Sequence, residues 1–179
     1  RINPMNTMRL SFLTGGVLAL AASLSSCGGE APTDSAKTQA ILDMKRATDH
    51  HSYSRPEEAV VTHLNWNAAV DFDTRVITAT ATYDIETAAD AERIIFDCTD
   101  LTIQAVRVDG VAVDFELGPA QRFIGQPLSF PVSGASRQVS IDYQSSPEAG
   151  ALLWVEGDNP FLFTQSQAIL ARTWIPCQD

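Results

Sequence analysis

The sequence predicts an all-β fold, a saddle or sandwich of antiparallel sheets, on three observations. From residue 59 onward apolar residues recur with period two in successive short segments. Short polar turns separate those segments. No amphipathic helical pattern longer than two turns occurs before residue 165.

The first strand starts at Ala59. Val60, Thr62, Leu64, Trp66, Ala68, Val70 and Phe72 fall on one side; Val61, His63, Asn65, Asn67, Ala69, Asp71 and Asp73 fall on the other. That is the pattern of a long half-buried strand. "DTR" then turns the chain. Ile77, Ala79, Ala81, Tyr83 and Ile85 next alternate with Val76, Thr78, Thr80, Thr82 and Asp84, which completes an antiparallel hairpin. "RIIFDC" and "LTIQAVRV" read as strands, and Asp109-Gly110 within "VDGVAV" reads as a tight hairpin turn. The apolar phase slips between Ala105 and Val106, so a bulge is expected there. "PLSFPV" and "RQVSIDY" follow, separated by "SGAS", and "ALLWV" is a further short strand. "QSQAILARTW" is expected to form one or two helical turns.

The first residues read as an export signal. Arg9 gives a positive start, "FLTGGVLALAASL" an apolar run, and small residues follow. The run is shorter than the roughly 20 residues that span a bilayer as a helix. "LSSC" at Leu24 to Cys27 resembles the lipobox of bacterial lipoproteins, in which the cysteine thiol receives a lipid and becomes the new amino terminus. The expected organisation is therefore a signal peptide and lipobox over 1–27, a polar tether over 28–49 and one β domain over 50–179. The product would be exported and held to a membrane, on its periplasmic side or at the cell surface, through lipid on Cys27.

A formal net charge of −10 argues against nucleic acid or an anionic membrane surface as an electrostatic partner. With Cys27 lipidated, Cys98 and Cys177 remain. They read as two partly buried thiols; a disulfide between them stays possible in an oxidising compartment, though no spacing brings them together. His50 and His51 fall in the linker and His63 on the polar face of the first strand, none at metal-ligand spacing. There is no HExxH, no G-x-S-x-G and no phosphate-cradling glycine loop, and Glu57-Glu58 reads as a solvated face. The residues by themselves predict no complete active site.

The last segment carries more information. "TQSQAILARTWIPCQD" resembles M1-family zinc aminopeptidases, most of all their leukotriene A4 hydrolase/aminopeptidase B branch, where T/S-Q-x-Q-A runs into P-C-Q-D. "VDFDTRVITATATYDIE", "FDCTDLTIQAVRVDG", "FELGPAQRFIGQPLSF", "YQSSPEAGALLWV" and "NPFLFTQSQAI" stand in the order of that branch, so the resemblance covers residues 48 to 179. It implies a β saddle that caps a thermolysin-like zinc domain. It also implies that Gln167 helps hold the free α-amino group of a peptide substrate, with Gln165 lining the same pocket. Amide oxygens suit that task, because an ammonium needs acceptors. Zinc would be bound by the downstream catalytic domain, the chain's own partner, and not by these residues.

The chain departs from the branch in three places. Only "VEGDN" stands between Trp154 and Pro160, where relatives carry a longer loop, and Cys98 replaces a common threonine. The G-x-M-E-N and HExxH motifs and the helical carboxy-terminal domain are absent, so the sequence is expected to be a carboxy-terminally truncated, inactive fragment. Without a partner domain, Phe161, Leu162, Phe163, Ile169 and Trp174 are expected to face water. Two other functions stay open: an additional epoxide hydrolase activity, and a non-catalytic β lipoprotein that binds peptides or a protein partner.

Overall fold

The computed structural model describes residues 49–178. The signal peptide, Cys27 and all but the last residue of the tether lie outside them. The expected all-β architecture is what it contains: ten strands and one short 3₁₀ turn among the described residues. Strands β1 (Ala59–Asp71), β2 (Val76–Thr87), β4 (Thr102–Val108), β5 (Val111–Val113) and β8 (Gln138–Gln144) form an antiparallel sheet in the order β1-β2-β8-β4-β5. A smaller sheet, in the order β3-β7-β6, holds β3 (Arg93–Cys98), β6 (Glu116–Leu117) and β7 (Gln126–Pro131). A separate ribbon pairs β9 (Leu152–Val155) with β10 (Phe161–Thr164).

The core lies between the two sheets because the period-two residues of each point at the other. Ile77, Ala81, Tyr83 and Ile85 of β2, with Val139, Ile141 and Tyr143 of β8, cluster with Ile94, Phe96, Leu128 and Phe130 of the small sheet. Tyr83 meets Phe96 at 4.9 Å between ring centroids, and Phe96 stacks on Phe130 at 5.8 Å. Each buried Ile, Leu, Val or Phe of this set contributes about 1.5–3 kcal/mol. Cys98 belongs to this core. Burial pushes its thiol up to about 12, and its Sγ–H donates to the Gln126 carbonyl at 3.4 Å, so it is inert near neutral pH.

The Asp109-Gly110 turn has the expected geometry. Val108 pairs with Val111, and the two loop residues have φ of 49° and 81°, as a primed two-residue hairpin requires. Asp109 Oδ1 also accepts the backbone N–H groups of Arg137 and Gln138, each at 3.0 Å, which ties the turn to the start of β8.

Two register details differ from the sequence reading. The β4 bulge lies between Ile103 and Ala105, one residue earlier than the apolar slip suggests. The inserted residue is Gln104, and the apolar phase recovers only at Val106, so the slip shows late. A second bulge, between Val61 and His63, had no signal because Thr62 continues the alternation without a break. It turns Ala59 and Val61 to the core side with Leu64 and Trp66 and Val60 to the other, so the faces assigned to Val60 and Val61 are both corrected.

β1 is also less buried than a half-buried strand should be. Leu64, Trp66, Val70 and Phe72 remain between 38% and 41% exposed. Their cross-strand partners include Tyr83, Ala81 and Ile77, which are buried. β1 is the edge of its sheet. Alternation named the right face but could not say what lies over it.

β3 is buried on both faces from Ile94 to Cys98. Ile94, Phe96 and Cys98 face the core. Ile95 and Asp97 therefore face the opposite way, and the end of the chain runs beside the free edge of β3, where Asp97 bridges Cys177 as an isolated antiparallel pair. Cys98 and Cys177 are not joined by a disulfide.

Candidate functional site

The segment after β10 holds the two glutamines. Its ribbon ladder extends one residue past the strand, since Gln165 N–H donates to Ala151 O at 2.8 Å. The chain then turns: Gln167 N–H donates to Gln165 Oε1 at 3.3 Å, and Leu170 N–H donates to Ser166 O at 2.8 Å. The Gln167–Ala168 peptide is cis. A single 3₁₀ turn, Leu170–Thr173, follows, as the helical expectation had it. Gln165 and Gln167 are both exposed, and Ser166 between them is half-buried. Gln165 Oε1 already accepts one hydrogen bond and keeps a second lone pair; Gln167 presents its amide to solvent. The pair can therefore offer amide oxygens to a cationic N–H donor.

What fixes this segment is a buried charge pair that sequence reading missed. Arg172, 1% exposed, and Asp97, 0% exposed, stand 3.7 Å apart between guanidinium nitrogen and carboxylate oxygen. Arg172 donates to His51 O at 2.9 Å and to Ile124 O, while its own carbonyl accepts Thr99 N–H at 2.7 Å. Asp97 accepts Ser52 Oγ–H at 2.5 Å and Tyr53 N–H at 2.8 Å. Two ions out of water are tolerable only when so fully hydrogen-bonded. The available signal was one aspartate inside the apolar run "RIIFDC". Gly125 fits the same junction: at φ 84° a Cβ there would meet Thr99 Oγ1 at 2.3 Å and Cys98 O at 2.4 Å.

The P-C-Q-D residues act as a strut. Tyr83 Oη–H donates to Pro176 O, and Asp97 and Cys177 exchange backbone hydrogen bonds of 2.7 and 3.1 Å. Gln178 joins the two sheets: its Oε1 accepts Val61 N–H at 2.9 Å, and its Nε2 donates to Ala59 O and Ile95 O, each at 3.1 Å.

Of the five apolar residues expected to face water, only Phe161 and Phe163 are largely exposed, at 54% and 49%. They share the outer face of the ribbon with Leu153. Leu162 points the other way with its partner Trp154, and both pack on the core. Trp174 also packs there, edge-on to Trp66 at 5.3 Å. Ile169 is half-buried and lines a cavity of about 260 Å³ with Leu170, Thr173, Thr99 and Phe123.

Among the described residues no group of three or more His, Cys, Asp or Glu side chains is arranged to hold a metal ion.

The chain matches the family described as peptidase M1 N-terminal domain over residues 60–179. Leukotriene A-4 hydrolase of Xenopus laevis is 36% identical over 143 residues, which cover 73% of this chain and 24% of that protein. Leucine aminopeptidase 2 of Candida albicans is 32% identical over 149 residues, covering 79% of this chain and 24% of the relative. The chain thus spans about a quarter of the length of these curated relatives. Among solved structures, yeast LTA4 hydrolase in complex with bestatin superposes with a TM-score of 0.69 at 23% identity, over 78% of this chain and 24% of that one. An M1 zinc metallopeptidase variant from Deinococcus radiodurans superposes with a TM-score of 0.51 at 15% identity, over 67% of this chain and 29% of that one. The two superpositions establish a shared fold.

Proposed function

The chain belongs to the peptidase M1 N-terminal domain family, and from that premise we propose that it is the substrate-capping part of a zinc aminopeptidase. The full enzyme would release amino-terminal residues from peptides. Gln167, with Gln165 beside it, would receive the substrate's free α-ammonium group. The observation that carries this reading is the pair of exposed amides on a segment tied at both ends, by Ala151 before it and by the Arg172 cluster after it.

The chemistry suits an exopeptidase. An internal peptide has no ammonium to offer, so an acceptor aimed at that group selects chain ends. A neutral amide can accept from the cation without itself carrying a charge that must be desolvated. Zinc, bound by the catalytic domain of the full protein, would polarise the scissile carbonyl. This chain's residues bind and orient. We assign the apolar outer face of the ribbon, Leu153, Phe161 and Phe163, to that catalytic domain, since an unpartnered patch of this kind marks an interface.

The test is Gln167→Ala in the full-length protein. A hydrogen bond to a charged group contributes about 1.5–3 kcal/mol, so kcat/KM for substrates with a free amino terminus should fall roughly 10- to 150-fold. An unchanged kcat/KM in both Gln167→Ala and Gln165→Ala would remove the assignment. For localisation we propose a lipoprotein anchored through Cys27. Cys27→Ser should move the protein from the membrane fraction to the soluble one and abolish its labelling by a fatty-acid analogue; labelling that persists rules the anchor out.

A further inference from the structure

We propose that Trp174 is a positioning residue for the glutamine pair, acting through Ser166; the proposal rests on the reading that Gln165 and Gln167 meet the substrate amine. Ser166 is the residue between them. Its hydroxyl accepts the Trp174 indole N–H at 3.0 Å, and it is half-buried while the glutamines on either side are exposed.

Trp174 is itself held from the main sheet. Its ring meets Trp66 edge-on at 5.3 Å, with the planes at 79°. Trp66, on β1, donates its own indole N–H to Tyr143 Oη at 2.9 Å, and Tyr143 on β8 is fully buried. A continuous set of contacts therefore runs from the middle of the five-stranded sheet to the centre of Gln165-Ser166-Gln167. The Arg172 guanidinium holds the neighbouring part of the chain. Its contacts to His51 O, Ile124 O and Asp97 anchor the 3₁₀ turn that follows the glutamines. The backbone bond from Trp174 N–H to Ala171 O, 3.0 Å, places the indole at the end of that turn, where it folds back over Ser166.

The informative variants are Trp174→Phe and Ser166→Ala. Phenylalanine keeps an aromatic ring against Trp66 and removes only the indole donor; alanine removes only the acceptor. Each should speed amide exchange across residues 165–170 while leaving the core strands protected. In the full-length protein each should raise KM for free-amine peptide substrates roughly 3- to 10-fold, with kcat nearly kept, because one neutral hydrogen bond is lost. The double variant should be no worse than either single one, since both break the same contact. Unchanged exchange and unchanged KM in both variants, with Gln167→Ala still raising KM, would overturn the positioning role and leave the glutamine assignment standing. If kcat/KM is unchanged in both Gln167→Ala and Gln165→Ala, the glutamine assignment fails. The exchange measurement then decides by itself whether Trp174 orders this segment, and unaltered exchange ends the proposal.

Discussion

The inter-sheet core and the terminal segment are held by different physics. In the core, Ile77, Phe96, Phe130 and Ile141 contribute apolar area, which is non-directional and shared among many neighbours. In residues 165–178 a few directional contacts carry the structure: the Asp97–Arg172 pair, the Gln178 bridge and the Trp174–Ser166 bond. A core of the first kind loses stability in small portions as side chains shrink. A junction of the second kind should lose it in single large steps, because each partner left behind is buried and polar.

The largest expected effect tests that contrast. Arg172→Met leaves the Asp97 carboxylate buried without its counter-ion and should cost about 3–5 kcal/mol, against about 0.5–1.5 kcal/mol for Ile141→Val in the core. Urea unfolding followed by tryptophan fluorescence would measure both. The double variant Asp97→Leu, Arg172→Met should recover most of the loss, since a buried ion pair can often be replaced by packed apolar groups. A double variant as unstable as the single one would mean that the hydrogen bonds to Ser52, Tyr53, His51 and Ile124 hold the junction, rather than charge balance.

The same contrast explains how far the sequence could be read. β2 was legible because it is covered on one face along its whole length, so Ile77 to Ile85 alternate as the burial does. The Asp109-Gly110 turn was legible because its backbone admits few residue types. β1 was legible as a strand but not in its burial, which depends on a covering layer that no local pattern encodes. Thr62 hid a bulge because threonine suits either face. β6, at two residues, is too short to show a period, and β10 was noticed only as part of a family block. At the candidate site, Gln165 and Gln167 were named through resemblance, not through any chemistry their spacing reveals. Asp97 and Arg172 went unread because their meaning lies in a long-range pairing, and a lone charge in a strand or a turn reads as solvated.

The smallest effect at neutral pH, and the sharpest on the boundary between the two regions, belongs to Tyr83. Its ring packs on Phe96 in the core while its hydroxyl donates to Pro176 O in the terminal strut. Burial holds its ionisation well above the usual tyrosine value, and the nearby Tyr143 and Cys177 add to that; Tyr143 is raised as well, by burial against the opposing hydrogen bond from Trp66. Unfolded tyrosines lose their protons near pH 10, so above it the unfolded chain binds fewer protons than the folded one. Stability from both groups is therefore complete below about pH 10 and falls as pH climbs towards their folded values. The buried Cys98 thiol, pushed up to about 12, adds to the same slope, so Tyr83→Phe removes one of three contributions, and the slope of unfolding free energy against pH between about 10 and 11.5 should drop by roughly a third. Equal slopes in the two proteins would mean that Tyr83 ionises as readily folded as unfolded. Its hydroxyl would then not be closed against Pro176, and the strut would open independently of the core it is tied to.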